Sequence, residues 1–473
     1  MSDGTRGAEP VGPTGQPGAP TAAPGERGAA GVQPNVRPGW SPAELSWRFW
    51  ALVLATGVGA GLGAAGFVAL LHVVQHASYG YATGPFLDGV RRASGQRRVL
   101  VLAAAGLFAG VAWALLRRHF RATPTLSEAV WERDGELPFT RTLLSGTIQI
   151  VIVAMGAALG REGAPKDVGA ALAAKLAGWG RLSPAQQRLL VASGAGAGMG
   201  AVYNVPLGAG LFAAEVLLGS LALADVLPAL ATALVATAVG WIVVPTGPTY
   251  AVPAYPVTAS VVVWAVLFGP AAGLASVALI RLTAWSRARR PAGLRLVVST
   301  TVVFTLLGLV SVAFPEVLGN GKNVSQEAFV GRLGLPLLAA LVLLRPAATA
   351  ACLRCGAQGG LFTPTLTAGA LLGGLLGGLW STLWPGVSTG VYAVVGATAV
   401  LAASTQGPLS SVALMLELAH HGESTMVPTL IAVVGASIVC GLLDDRSIYS
   451  SPLRPAARRA WPFLRPGPAR GRR

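Results

Sequence analysis

Gly160-Arg161-Glu162-Gly163-Ala164-Pro165 and Gly359-Gly360-Leu361-Phe362-Thr363-Pro364 each interrupt an apolar stretch. In both, a proline stands where a new helix starts. Proline suits a helix start, because its missing N–H has no partner to lose there. The residues before it are then a non-helical lead-in. The first turn of any helix leaves N–H groups unpaired and carries the positive pole of the helix dipole. Free backbone groups inside a membrane must line a cavity, since hydrocarbon cannot satisfy them. A helix start buried at that depth is suited to hold an anion.

Composition places these breaks in a membrane. Of 473 residues, 53% are hydrophobic and 11% charged, with mean hydropathy +0.60. A soluble domain carries about 25% charged residues, and 11% cannot cover the surface of a globular fold of this length. The 62 glycines suit helices packed closely in a bilayer. Apolar segments are predicted near 48–76, 98–116, 140–159, 166–179, 186–200, 207–221, 225–244, 257–284, 295–313, 334–351, 365–381, 389–402, 409–420 and 426–443. Several reach the roughly 20 residues a span needs. Others are too short and end at Gly or Pro, as helices broken partway through a membrane do.

The sequence repeats itself. Asn204-Val205-Pro206-Leu207, with Glu215 downstream, is matched by Gln406-Gly407-Pro408-Leu409 with Glu417 downstream. Pro206 and Pro408, Glu215 and Glu417, and Gly194 and Gly396 share one offset of 202 residues, and Pro165 and Pro364 are 199 apart. The predicted fold is an all-α polytopic membrane protein with two repeated halves, about 98–221 and 295–443. The halves are inverted if each has an odd number of crossings. Residues 1–44, rich in Pro, Gly and Ala, form a disordered tail by this reading. The membrane domain runs over 45–452, and 453–473 is a basic tail.

The net charge of +16 comes from arginine clusters at Arg91-Arg92, Arg97-Arg98, Arg117-Arg118, Arg287 to Arg290 and Arg454 onward. They flank apolar segments, which fits the positive-inside rule and a cytoplasmic place for these runs and both tails. They are not interleaved with aromatics as in nucleic-acid binding, so no nucleic-acid partner is expected. Cys352 and Cys355 have C-x-x-C spacing but read as small buried residues. The histidines show no ligand spacing, so no metal or other cofactor is expected. No nucleophile elbow or phosphate loop is apparent, which speaks against an enzyme. Lys322 reads as a membrane-surface lysine. Lys166 and Asp167 are costly inside a membrane helix unless paired. Either they pair locally, or Lys166 adds positive field to an anion path.

At these residues the chain resembles the CLC family of chloride channels and chloride/proton exchangers. Gly160-Arg161-Glu162-Gly163 with Pro165 resembles the family's G-R/K-E-G-x-P motif, with the proline displaced by one through Ala164. Gly360-Leu361-Phe362-Thr363-Pro364 fits its G-x-F-x-P motif. Tyr449 sits where the family keeps its pore tyrosine. The family's G-S-G-I-P motif has no match. Ala122-Thr123-Pro124-Thr125-Leu126-Ser127-Glu128 stands in its place, with Thr123 or Ser127 as the candidate hydroxyl. Val216 occupies the position of the exchangers' inner proton-transfer glutamate, and Glu215, one place off, is the candidate substitute. The duller reading of Glu215 is a hydrogen-bonded helix-end carboxylate.

The resemblance implies a chloride pathway in a multi-pass plasma-membrane homodimer, either proton-coupled or passive. It implies anion contacts from backbone N–H groups at Gly160, Arg161, Gly163, Leu361 and Phe362, with the Tyr449 hydroxyl on the inner side. Glu162 would then be gate and proton carrier. The alternative for Glu162 is an ion pair with Arg161 or Lys166. The alternative for the whole chain is an unrelated broken-helix transporter for another anion.

Overall fold

The computed structural model describes residues 46–120, 123–288, 290–420, 423–451 and 453. The expected N-terminal tail, and the basic tail apart from Leu453, lie outside the described residues. Among the described residues the fold is all-helical: seventeen α-helices, short π and 3-10 turns, and one isolated β-bridge.

Eight helices are long and apolar enough to cross a membrane. They are α1 (Trp47–Tyr79), α3 (Gly95–His119), α9 (Leu223–Gly240), α10 (Ala259–Ala288), α11 (Leu294–Ala313), α13 (Leu335–Arg354), α14 (Phe362–Leu383) and α17 (Met426–Leu443). Most keep one side open to the surroundings through leucine and valine, such as Leu107, Leu234, Val266, Leu306 and Ile438. On a membrane protein such a surface meets lipid or another apolar protein surface. Two further helices, α7 (Pro184–Tyr203) and α15 (Thr389–Thr405), are buried on every side from Leu189 and Gly390 onward. They form the centre together with α6 (Gly163–Trp179) and α14.

Local chemistry sets these helices. Ser183 and Gln186 form a capping box at the start of α7, with Pro184 in the first turn. At its end Asn204 turns left-handed (φ 57°), and Pro206 opens α8 (Pro206–Phe212). The second half repeats this. Gln406 turns left-handed (φ 56°) after α15, and Pro408 opens α16 (Pro408–Ala419).

The same packing partners also recur. Helix α6 lies on α7 as α14 lies on α15, and α1 packs on α9 as α10 packs on α17. Helix α5 (Phe139–Ala154) meets α6 as α13 meets α14. The repeat therefore includes α1 and α10, and is wider than 98–221 and 295–443. Glycine permits the central contact. A Cβ on Gly194 would stand 2.5 Å from the Gly169 carbonyl oxygen, and one on Gly396 2.6 Å from that of Gly369. Any larger residue would force these helices apart.

Two reciprocal contacts relate the halves by a local two-fold. Gly160 donates to the Gly360 carbonyl and Gly360 to that of Gly160, at 2.8 and 3.0 Å. Glu215 accepts from the amides of Leu409 and Ser410, and Glu417 from those of Leu207 and Gly208. Equivalent residues that exchange identical bonds while running antiparallel are related by a local two-fold, the relation of inverted repeats whose axis lies in the membrane plane. The halves are inverted.

One expectation about charge does not hold. Helix α3 carries Arg97 and Arg98 at its start and Arg117 and Arg118 at its end. Twenty-five helical residues span about 37 Å, so these runs lie on opposite sides of the membrane. The first group is pinned locally: Arg97 donates to the Ser78 and Ala77 carbonyls, Arg98 to those of Val90, Ala93 and Ser311. Arg91 pairs with Glu316 and Glu327. These arginines are held by local hydrogen bonds and ion pairs.

Candidate functional site

The site is built where the two breaks meet. Helix α5 ends in a turn at Gly156 (φ 110°) and α13 in a turn at Gly356 (φ 103°), conformations that favour glycine. Each chain then runs inward, and the Gly160–Gly360 bridge ties the two together. From the bridge one strand enters α6 at Gly163 and the other enters α14 at Phe362. Two helix N-termini are thereby fixed side by side. Pro165 and Pro364 occupy the third position of their helices, not the first. The reason for tolerance is the same, since every N–H of the first turn lacks an intrahelical acceptor. The first half has one more residue between bridge and helix than the second, which is why the prolines are 199 apart while the bridging glycines are 200 apart.

Glu162 caps this junction and is 1% exposed. Its Oε1 accepts the Phe362 N–H at 2.8 Å. Its Oε2 lies 3.0 Å from the hydroxyls of both Thr363 and Tyr203. Those hydroxyls are themselves 2.5 Å apart. A side chain on Gly160 or Gly360 would overlap the carboxylate, so both glycines are required for it to lie here. Among the described residues no cation forms an ion pair with Glu162. Lys166 pairs with Asp167 at 3.7 Å and lies 4.9 Å over the Tyr449 ring. The Arg161 guanidinium lies 4.8 Å over the Tyr203 ring. Neither forms the structural ion pair that was the alternative for Glu162. A negative group held only by N–H and O–H dipoles has the surroundings a dehydrated halide requires.

Two cavities approach this point from opposite ends of α3. One, of ≈ 180 Å³, reaches Arg117 at the C-terminal end of α3 and is lined by Tyr449, Ser127, Thr123, Gly163 and Leu361. The other, of ≈ 450 Å³, lies beside the α1–α3 connection and is lined by His72, His76, Tyr81, Arg161 and Lys322. Arg161 lines one cavity and Gly163 the other; Glu162 is the residue between them.

A family model for the voltage-gated chloride channel matches residues 105–441. The chain belongs to the CLC family. It is 34% identical over 378 residues to a putative ClcB-like chloride channel protein of Ralstonia nicotianae, covering 75% of this chain and 85% of that one. It is 31% identical over 418 residues to the voltage-gated ClC-type chloride channel ClcB of Escherichia coli (strain K12), covering 85% and 98%. Among solved structures, a slow cyanobacterial Cl⁻/H⁺ antiporter superposes with TM-score 0.74 at 20% identity, over 86% of this chain and 97% of that one. A CLC-type fluoride/proton antiporter superposes with TM-score 0.70 at 19% identity, over 87% and 99%. The protein is a multi-pass membrane transporter or channel of the CLC anion type, and not an enzyme.

Within this CLC frame the remaining candidates fall into place. Leu361 caps α14 and is buried beside the site. The Gly160 N–H is taken by the bridge, so Gly160 joins the two helix starts and has no amide to offer an anion. Arg161 presents its guanidinium to the wider cavity. Thr123 and Ser127 line the narrower cavity with Tyr449, and Ser127 sits on α4 (Leu126–Glu132), whose start is a Thr125/Glu128 capping box. Glu215 stands elsewhere, both oxygens bonded to the first amides of α16. Lys322 lines the wider cavity, a correction to its reading as a surface residue. Cys352 and Cys355 are buried, the Cys355 thiol donating to the Cys352 carbonyl at 3.0 Å. Tyr203 and the Thr363 hydroxyl were not singled out in the sequence. Tyr203 directly precedes the repeated Asn204-Val205-Pro206 break, and that adjacency was the available signal.

Proposed function

We propose that the chain moves chloride, or a similar small anion, between the two cavities, and that Glu162 is the gate. The observation that carries this is the Glu162 carboxylate lying on the Phe362 N–H at the joined helix starts, hydrogen-bonded by neutral donors alone. A carboxylate and a halide compete for such donors. Ionised, Glu162 fills the site; neutralised, it loses its advantage there and yields to the anion. A proton taken up by Glu162 from one cavity and released to the other would couple the two flows. The ClcB relatives are named as chloride channels, and the structural neighbours as Cl⁻/H⁺ and F⁻/H⁺ antiporters.

A second reading, passive anion conduction, is favoured by Val216, which is fully buried and brings no acid to a proton path. Purified protein in vesicles separates the two. Chloride efflux tests the pathway, and proton uptake driven by a chloride gradient tests coupling. Absence of any anion flux would overturn the proposal.

We place the narrower cavity on the cytoplasmic side of the plasma membrane. Arg117, Arg287 and Arg290 line it, and the positive-inside rule assigns such a concentration to the cytoplasm. A homodimer packed through α8, α9, α16 and α17 would cover exposed apolar residues including Leu207, Leu227, Leu409 and Leu430. Mass measurement in a mild detergent tests it; a monomer at every concentration contradicts it.

A further inference from the structure

The narrower cavity carries more positive charge than passage of a monovalent ion calls for. Lys166, Arg117, Arg141, Arg287 and Arg290 line its ≈ 180 Å³, and Asp167 is the one carboxylate among its described lining residues. Asp167 pairs with Lys166 at 3.7 Å and also lies in the field of Arg287, so one carboxylate is shared between two cations. Arg117 and Arg287 donate to the neutral carbonyls of Pro291 and Ile448, and the five cations of the lining outnumber its single described carboxylate. Two buried guanidinium nitrogens, Arg141 Nη1 and Arg287 Nε, have no acceptor among the described residues. Buried donors without acceptors are rare, and each calls for an explanation. Dipoles let a monovalent anion enter and leave; full charges in this number hold one too firmly for throughput. Their attraction for a ligand scales with its charge. Forked guanidinium groups match the oxygens of a tetrahedral oxyanion, which accepts several N–H bonds at once. At about 30 Å³ for each water, the cavity has room for such an ion.

We infer that this cavity is a binding site for a divalent tetrahedral oxyanion of the sulfate or phosphate class, which plugs the pathway from the Tyr449 side. Ser127 and Tyr449 line the same space, so an oxyanion held by Arg141 and Arg287 stands directly in front of the Glu162 junction. The inference rests on the proposed pathway for the direction of its effect.

The test is chloride efflux from vesicles of neutral lipid, with sulfate, phosphate or isethionate at matched ionic strength on both faces. Sulfate and phosphate slow efflux several-fold and isethionate does not. Arg287→Gln and Arg141→Gln each raise the half-blocking concentration about tenfold, the cost of one charge-assisted hydrogen bond. Lys322→Gln, at the other cavity, leaves it unchanged. Calorimetric titration of sulfate into the detergent-purified protein gives binding that both arginine variants weaken. Equal slowing by isethionate, passage of sulfate at the rate of chloride, or block relieved only by Lys322→Gln would each overturn the site. So would slowing that follows added anionic lipid and ignores the dissolved ion. Efflux without any oxyanion reports separately on the pathway, so the two proposals fail independently.

Discussion

The Glu162 carboxylate and the Phe362 amide, 200 residues apart in the chain, meet at 2.8 Å across the two-fold that relates the halves. Glu162 comes from the cap of α6 and Phe362 from the first residue of α14, two helix starts held together by the Gly160–Gly360 bridge. One half supplies a donor and the other the charge that occupies it. On the proposed reading, this asymmetry within a symmetric frame is what lets a pair of helix starts act as a gate.

Tyr203 should tune that gate. Its hydroxyl is one of three donors to the carboxylate, and a hydrogen bond to a charged group contributes about 1.5–3 kcal/mol. Donors to the ionised form favour it. In Tyr203→Phe the curve of chloride flux against pH should move toward higher pH by about one to two units. Thr363→Val should move it the same way. Vesicle efflux at stepped pH measures both; a shift toward lower pH contradicts the geometry.

Lys322 predicts a second pH effect of separate origin. Burial, and Arg161 across the wider cavity, push its ammonium down to about 8. Below that pH the cavity carries its charge; above it the charge is gone. Anion capture from that side should therefore fall as pH rises through about 8. Measured on a Glu162→Gln background, which removes the gate's own titration, the step should be present. Adding Lys322→Gln should hold flux at the low level throughout. A step that survives Lys322→Gln assigns it to another group.

Glu215 and Glu417 should behave as a matched pair of helix caps. Each holds two amides of the other half, so Glu215→Ala and Glu417→Ala should cost similar stability, about 1–3 kcal/mol. Thermal unfolding in detergent reads this as comparable falls in Tm. Glu215→Gln should leave the pH dependence of flux as it is. Loss of proton movement at unchanged Tm would place Glu215 on a proton path instead.

Gly194→Ala and Gly396→Ala should be among the most damaging small changes. The new Cβ meets a backbone carbonyl that cannot rotate away. Overpacking costs about 1–3 kcal/mol where side chains can adjust, and more is expected here. Both variants should lose folded yield on size-exclusion chromatography. Wild-type yield and Tm for either would mean the central helices can separate.

Much of this was legible because glycine and proline act locally. The two helix breaks, the repeat offset and the convergence on Glu162 and Phe362 follow from residue types that dictate backbone shape wherever they fall. The bland reading of Glu215 was also available, since a carboxylate beside a proline-led helix start is a natural cap. What stayed hidden depends on how helices run in space. Arginine runs at the two ends of α3 look alike in sequence, yet antiparallel neighbours pin one and leave the other around a cavity. Tyr203 reaches the site only because α7 ends against α14, and no spacing encodes that. Lys322 looks superficial in its glycine-rich loop until Arg161 is seen across the same cavity. The bridge that takes the Gly160 amide joins residues from separate halves, beyond the reach of either motif alone.

The most direct test replaces Glu162 with its neutral isostere. Chloride efflux from vesicles holding Glu162→Gln should be as fast as or faster than wild type and free of the acid-side pH dependence, with no proton movement driven by a chloride gradient. Efflux that keeps the wild-type pH curve, or proton movement that persists in this variant, would contradict the assignment of Glu162 as the gate.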